Sequence, residues 1–151
     1  MRLLKLLYIA DRESLKEIGR PISGDSLLAM KKGPLLSGFY EMIKGESVQS
    51  QLFDTYFQQS GFHLELKKSP GIGLLNRYEI RKLREVSARY ENTDDDDLSL
   101  MTHQFPEWKD PGNSSRHIPV EDVLEAVGRA DKTDKVRRNA EVARAVAKLW
   151  S

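Results

Sequence analysis

Between residues 3 and 18 the apolar side chains fall on more than one helical face. Leu3, Leu7, Leu15 and Ile18 form one stripe, Leu4 and Tyr8 widen it, and Leu6 and Ile9 load the opposite side. A helix apolar on several sides belongs inside a core. Gly19 is a natural stop, because glycine accepts a left-handed backbone, and Pro21 prevents the helix from resuming. Residues 26–31 read as a short strand, and Gly33-Pro34 predicts a tight backbone break after it. Ser37 is placed to cap a helix over residues 38–44, which Gly45 closes.

Val48, Leu52, Phe53, Tyr56 and Phe57 have helical spacing, which predicts a third helix over residues 46–60. Phe62, Leu64 and Leu66 alternate with His63, Glu65 and Lys67, the pattern of a half-buried strand. After the Ser69-Pro70-Gly71 turn, residues 72–75 read as the returning strand. Ile80, Leu83, Val86 and Tyr90 restore the helical period. The aspartates at 94–97 are placed to cap a helix carrying Leu98, Met101 and Phe105, which must end by Pro106. Residues 111–115 look flexible. Pro119 opens a helix with Val120, Val123, Leu124 and Val127, and Gly128 ends it.

The last segment differs in kind. Val136, Ala140, Ala143, Ala147 and Trp150 recur by fours and threes, a coiled-coil-like seam of mostly small residues. It predicts an appended helix over 129–151 that packs on the main domain, residues 1–128, or on a partner or second copy. The fold class is α+β: a mainly α-helical single domain with a small antiparallel β-ribbon.

The chain has 151 residues, enough for one domain with a real core. It has no cysteine, so disulfides, thiolate nucleophiles and Cys-based zinc sites are excluded. No apolar run is long enough to span a bilayer, and Asp11-Arg12-Glu13 interrupts the apolar opening too early for a secretory signal. These features suit a cytoplasmic protein. Net charge is +1, which argues against bulk nucleic-acid binding. The charges are unevenly spread. Residues 91–125 hold ten Asp/Glu against two Lys/Arg, and residues 128–151 hold seven Lys/Arg against three Asp/Glu.

Candidate chemistry is sparse. His63, His103 and His117 show no i, i+4 pair and no HExxH, so they make a poor zinc set. Asp94–Asp97 lack the ligand spacing of a calcium loop. Gly71-Ile72-Gly73 lacks the third glycine of a dinucleotide fingerprint. No nucleophile is assembled with a base, and no cofactor is implied. His103 lies five residues before Trp108, near a helix end. It is expected to be structural: mostly buried, with a ring nitrogen bonded to protein. The enzymatic alternative is a small metal-dependent or His-based hydrolase using His103 and nearby acids.

The ordered set "KLLYIADR … GRPISGD … AMKKGPLLSGFYEMIKG", followed by Thr102-His103-Gln104-Phe105-Pro106-Glu107-Trp108, resembles the SocA-like antitoxin family, or Panacea domain, which includes phage-associated GepA-like proteins. The resemblance covers roughly residues 3–125. Its motif positions here are Lys5, Leu6, Tyr8, Asp11, Gly24, Asp25, Gly33, Pro34, His103 and Trp108, and it assigns them structural roles. It implies a non-enzymatic bacterial protein that neutralises a cognate toxin by direct contact, in the SocA-like case as an adaptor to a Clp-type protease. Family members usually carry one more helix before the "KLLY" segment, so a face of the first helix is expected to be uncovered. Leu6 and Ile9 there, and Ala143, Ala147 and Trp150 on the tail, are the expected partner-binding residues. The competing expectation is that the tail folds back over the first helix and buries both sets. The family's Gly-Pro-Val-Pro stands here as Gly33-Pro34-Leu35-Leu36.

Overall fold

The structure, a computed structural model, describes residues 1–150. Helix α1 (Arg2–Ile18) runs through the middle of the domain and ends on Gly19, whose φ is 70°. Its two apolar sides enter two different clusters. Tyr8 and Leu15 pack with Leu27, Ala29, Leu36, Ile118, Val123 and Leu124. Ile9 and Ala10 pack with Val86 and Leu98. This is why the helix is apolar on several faces.

Strands β1 (Leu27–Met30) and β2 (Gly33–Leu36) form an antiparallel hairpin, with Leu27 opposite Leu36 and Met30 opposite Gly33. Gly33-Pro34 is therefore not the expected break before a helix. Lys31 and Lys32 make the turn, and Gly33-Pro34 opens the second strand. Proline is tolerated because β2 is an edge strand. A third strand, β5 (Arg116–Ile118), pairs antiparallel with the other side of β1.

Helix α2 (Ser37–Lys44) follows β2 without a gap. Ser37 does not cap it; the Ser37 hydroxyl instead donates to Glu41 Oε1 at 3.2 Å. The cap comes from Asp25, twelve residues upstream of Ser37. Its two carboxylate oxygens accept from the Gly38 and Phe39 amides, both at 3.0 Å. A carboxylate on the first-turn amides also suits the helix dipole.

The expected helix over 46–60 is cut short. Helix α3 (Ser50–Tyr56) gives way to β3 (Phe57–Ser60), which pairs with β4 (His63–Leu66). Residues 72–75 are not the returning strand, and the β3–β4 hairpin is mostly exposed rather than half-buried. The ring of Phe57 stacks on Phe53 at 4.7 Å, a contact that serves a helix or a helix–strand junction equally.

Helix α4 (Arg77–Arg89) starts with a full capping box between Asn76 and Glu79, and α5 (Asp95–His103) is capped by Asp94. Helix α6 (Val120–Ala126) supplies Val123 and Leu124 to the core. A 3-10 turn (Ala130–Lys132) leads into α7 (Thr133–Leu149). Of α7 only Val136 is buried, and residues 137–150 are all exposed. The tail does not fold back over α1, so the covering-tail expectation fails.

Gly33 has φ of 109°, and a Cβ there would lie 2.4 Å from Thr102 Oγ1 and 2.8 Å from Lys5 Nζ. Gly33→Ala thus meets strain and overlap together. It should lower stability by about 2–3 kcal/mol, measured by urea unfolding. Gly45→Ala, with φ of 77° and open space around it, should cost less.

Candidate functional site

The motif positions converge on α1 and the segments packed against it. Asp11 is buried at the middle of the helix. Its Oδ1 accepts from the Ile22 and Ser23 amides, each at 2.8 Å, and the Ser23 hydroxyl donates to Oδ2. These bonds pin the Gly-Arg-Pro-Ile turn back onto α1. Burial still raises the Asp11 pKa above its ordinary value, against the pull of the Ser23 and Ile22 bonds. Gly24, with φ of 67°, turns the chain so that Asp25 reaches the start of α2.

One turn before Asp11 stands the central polar contact. The Tyr8 hydroxyl donates to Glu107 Oε1 at 2.9 Å, and Arg12 Nε donates to the same oxygen at 2.7 Å. The second Arg12 amine reaches Glu107 Oε2 at 3.3 Å. The Glu107 side chain has no exposed surface. The Arg12 guanidinium lies 4.1 Å over the Phe105 ring, and that ring stacks on Tyr8. Burial, then the Glu107 charge, pushes the Tyr8 phenol far above its ordinary value. Tyr8 is therefore a fixed hydrogen-bond donor. Glu107 and Arg12 were not among the residues singled out from the sequence. A signal was present: Tyr8 and Arg12 are four apart on one face, and Glu107 sits inside an aromatic element.

Lys5 is buried too. Its ammonium donates to the Lys32 carbonyl, in the turn just before Gly33. Burial, with the nearby Lys32 charge, lowers its pKa to about 8, while Asp95 pulls the other way. His103 and Trp108 stack, with ring centroids 4.1 Å apart and planes inclined by 12°. Trp108 Nε1 donates to the Met30 carbonyl at 3.0 Å, so the element is tied to β1. The expectation for His103 needs correction. The ring is only half-buried, and its Nε2 is buried with no hydrogen-bond partner. Stacking on Trp108, rather than a ring-nitrogen bond, is what holds it.

Residues 3–109 match the family model described as Antitoxin SocA-like, Panacea domain. The chain belongs to this antitoxin family. No curated protein and no solved structure matches it. Membership in an antitoxin family implies a toxin partner. Strand β5, α6 and α7 lie beyond the matched span of the Panacea domain, although Ile118, Val123 and Leu124 fill its core.

Among the described residues, no three His, Asp or Glu gather where they could hold a metal ion. No helix is long and apolar enough to cross a membrane. What this antitoxin-family domain does offer is surface. Ile9 is 2% exposed, so it is core and presents nothing to a partner. Leu6 is half-buried and lines a shallow depression with Leu83 and Ala88. Ala143 and Ala147 are exposed on α7, and Trp150 is exposed just past its end. Sequence reading missed their larger neighbours, Val142, Val146 and Leu149, which are also exposed and widen that face. The segment around the β3–β4 hairpin adds Leu52, Phe62 and Leu74.

Glu107→Ala would leave Arg12 and Tyr8 without their acceptor and should cost roughly 3–5 kcal/mol, the range for a broken buried ion pair. Glu121→Ala, which breaks the exposed pair with Arg137, should cost under about 1 kcal/mol. Chemical denaturation of the two variants checks the contrast. Lys5 gives a pH signature. Between pH 8 and 10.5 the unfolded chain holds more proton on Lys5 than the folded one, so this group makes stability rise with pH there. Wild type should gain up to about 3 kcal/mol on Lys5→Met over that window. Parallel profiles would contradict it.

Proposed function

We propose that the chain is a non-enzymatic, cytoplasmic antitoxin that neutralises a cognate toxin by direct protein–protein contact. The observation that carries this reading is the family match over residues 3–109. The geometry adds support. Most of the motif residues are held in contacts of the fold itself rather than arranged around a substrate. No observation favours the hydrolase alternative built on His103, which lies flat on Trp108.

The exposed apolar face of α7 belongs to the same proposal, with the toxin as its occupant. A helix gains most of its stability from packing its apolar face, and among the described residues of α7 only Val136 is buried. Residues 133–150 carry five Lys/Arg against two Asp/Glu. Pairing α7 with its own copy would bring like charges together, which disfavours a homodimer through this helix. Transfer of the toxin to a Clp-type protease would be a later step, seen as a shortened toxin half-life.

The test is co-expression with any adjoining gene product that proves toxic when expressed alone, followed by sizing of the purified mixture. The expected result is rescue of growth and a stable mixed complex. Val146→Asp and Trp150→Ala should each weaken rescue at least tenfold in dose while leaving the thermal midpoint within about 2 °C. Rescue without any complex would refute direct contact. A wild-type homodimer that Val146→Asp splits would assign α7 to self-association instead.

A further inference from the structure

We infer that the groove between α1 and α4 receives an acidic, amphipathic segment of a partner protein. That the partner is the toxin rests on the function proposed above. The outer side of α4 carries two neighbouring stripes. Ile80 and Leu83 are half-buried, and with Leu6 of α1 and Ala88 they form an apolar floor. Beside them Arg77, Arg81 and Arg84 stand at i, i+4 and i+7, all exposed. The two shallow depressions there share Arg84, so the strip is continuous.

The arginines differ from every other cation on this helix. Lys82 is held by Glu13, Glu17 and Glu85. Arg89 pairs with Glu13 and Glu85. At the far rim Arg2 is tied to Asp95 and to the backbone carbonyls of Tyr90 and Thr93. By contrast, Arg77 and Arg84 make no hydrogen bond or ion pair with the described residues. Arg81 only lies 5.5 Å over the Tyr78 ring and feels Glu17 at longer range. The fold thus neutralises its inward cations and leaves three guanidiniums in a row beside an apolar floor. Two acids line the strip: Glu85, already paired with Lys82 and Arg89, and Glu91 on the rim.

Charge complementarity selects the occupant. A second copy's α7 is itself basic and would be repelled. Nucleic acid phosphates would satisfy the arginines but leave Leu6 and Leu83 in water. A segment with acids on one edge and apolar residues on the next satisfies both stripes. The stretch from Arg77 to Ala88 spans roughly 16 Å at the helical rise, which fits a partner helix of about three turns.

The test uses the full chain and purified toxin. Arg81→Glu/Arg84→Glu should weaken toxin binding at least tenfold by calorimetry, and Arg81→Ala/Arg84→Ala by less. Wild-type affinity should fall as salt is raised from low to high. Because the chain lacks cysteine, Ser87→Cys gives one attachment point for a photo-crosslinker. The crosslinked toxin peptide should be rich in Asp and Glu. Wild-type binding that both double variants retain would overturn the groove proposal and leave the antitoxin reading standing. Crosslinks to a second copy or to nucleic acid would also overturn it. No binding by wild type at all would overturn direct contact itself, and this assignment with it.

Discussion

A carboxylate with no surface in water must find its compensation inside the protein, and Glu107 finds it on α1. Tyr8 and Arg12 point at it from one face of that helix, separated by a single turn. The spacing sets how α1 is rotated. With that face turned to Glu107, Ile9 and Ala10 turn to α4 and α5, and Asp11 turns to the Gly-Arg-Pro-Ile corner. Phe105, two residues before Glu107, backs the Arg12 guanidinium; Trp108, one residue after, reaches the Met30 carbonyl of β1. A seven-residue stretch therefore fixes the central helix against the sheet. Buried ion pairs are poor sources of net stability, because removing two charges from water offsets their attraction. Their effect is to penalise every arrangement in which one partner is left alone. Here that penalty selects one orientation of α1.

Lys5 extends the same logic one turn toward the N-terminus. Its ammonium closes over the Lys32 carbonyl, and Gly33 has no Cβ because Lys5 and Thr102 already occupy that space. Most of the family-motif residues are, in physical terms, a set of contacts between α1 and the segments packed against it. They explain how the scaffold is held. Of the two surfaces proposed for recognition of a partner, the face of α7 lies outside the motif, and the Arg-edged groove on α4 takes only Leu6 from it.

Much of this was legible in the sequence. The helical period found α1 and α4–α6, and Gly19, the aspartates from Asp94 and Pro119 marked real boundaries. What failed did so for local reasons. Phe53 and Phe57 are four apart, which favours a helix, yet Phe57 starts a strand because residues 63–66 pair with it across the Gly61-Phe62 turn. The three residues of β5 are too few to show alternation. Asp25, not Ser37, caps α2, and only the folded corner brings it there. Glu107, between a proline and a tryptophan, has the look of a surface acid. Its partners are 99 and 95 residues away, so the four-residue spacing of Tyr8 and Arg12 and the aromatic setting of Glu107 each hint at a role without showing that they meet. The tail seam was visible, but not that Val142, Val146 and Leu149 broaden it or that it stays uncovered.

The central claim is a division of labour between an internal motif and an external recognition surface. Hydrogen exchange of the free protein and of its complex with toxin tests it most directly. The account predicts new protection along the exposed sides of α4 and α7, with β1, β2 and residues 102–108 unchanged because their contacts are already made. Protection concentrated at His103–Trp108 and the β1–β2 turn, with α4 and α7 unaffected, would contradict it.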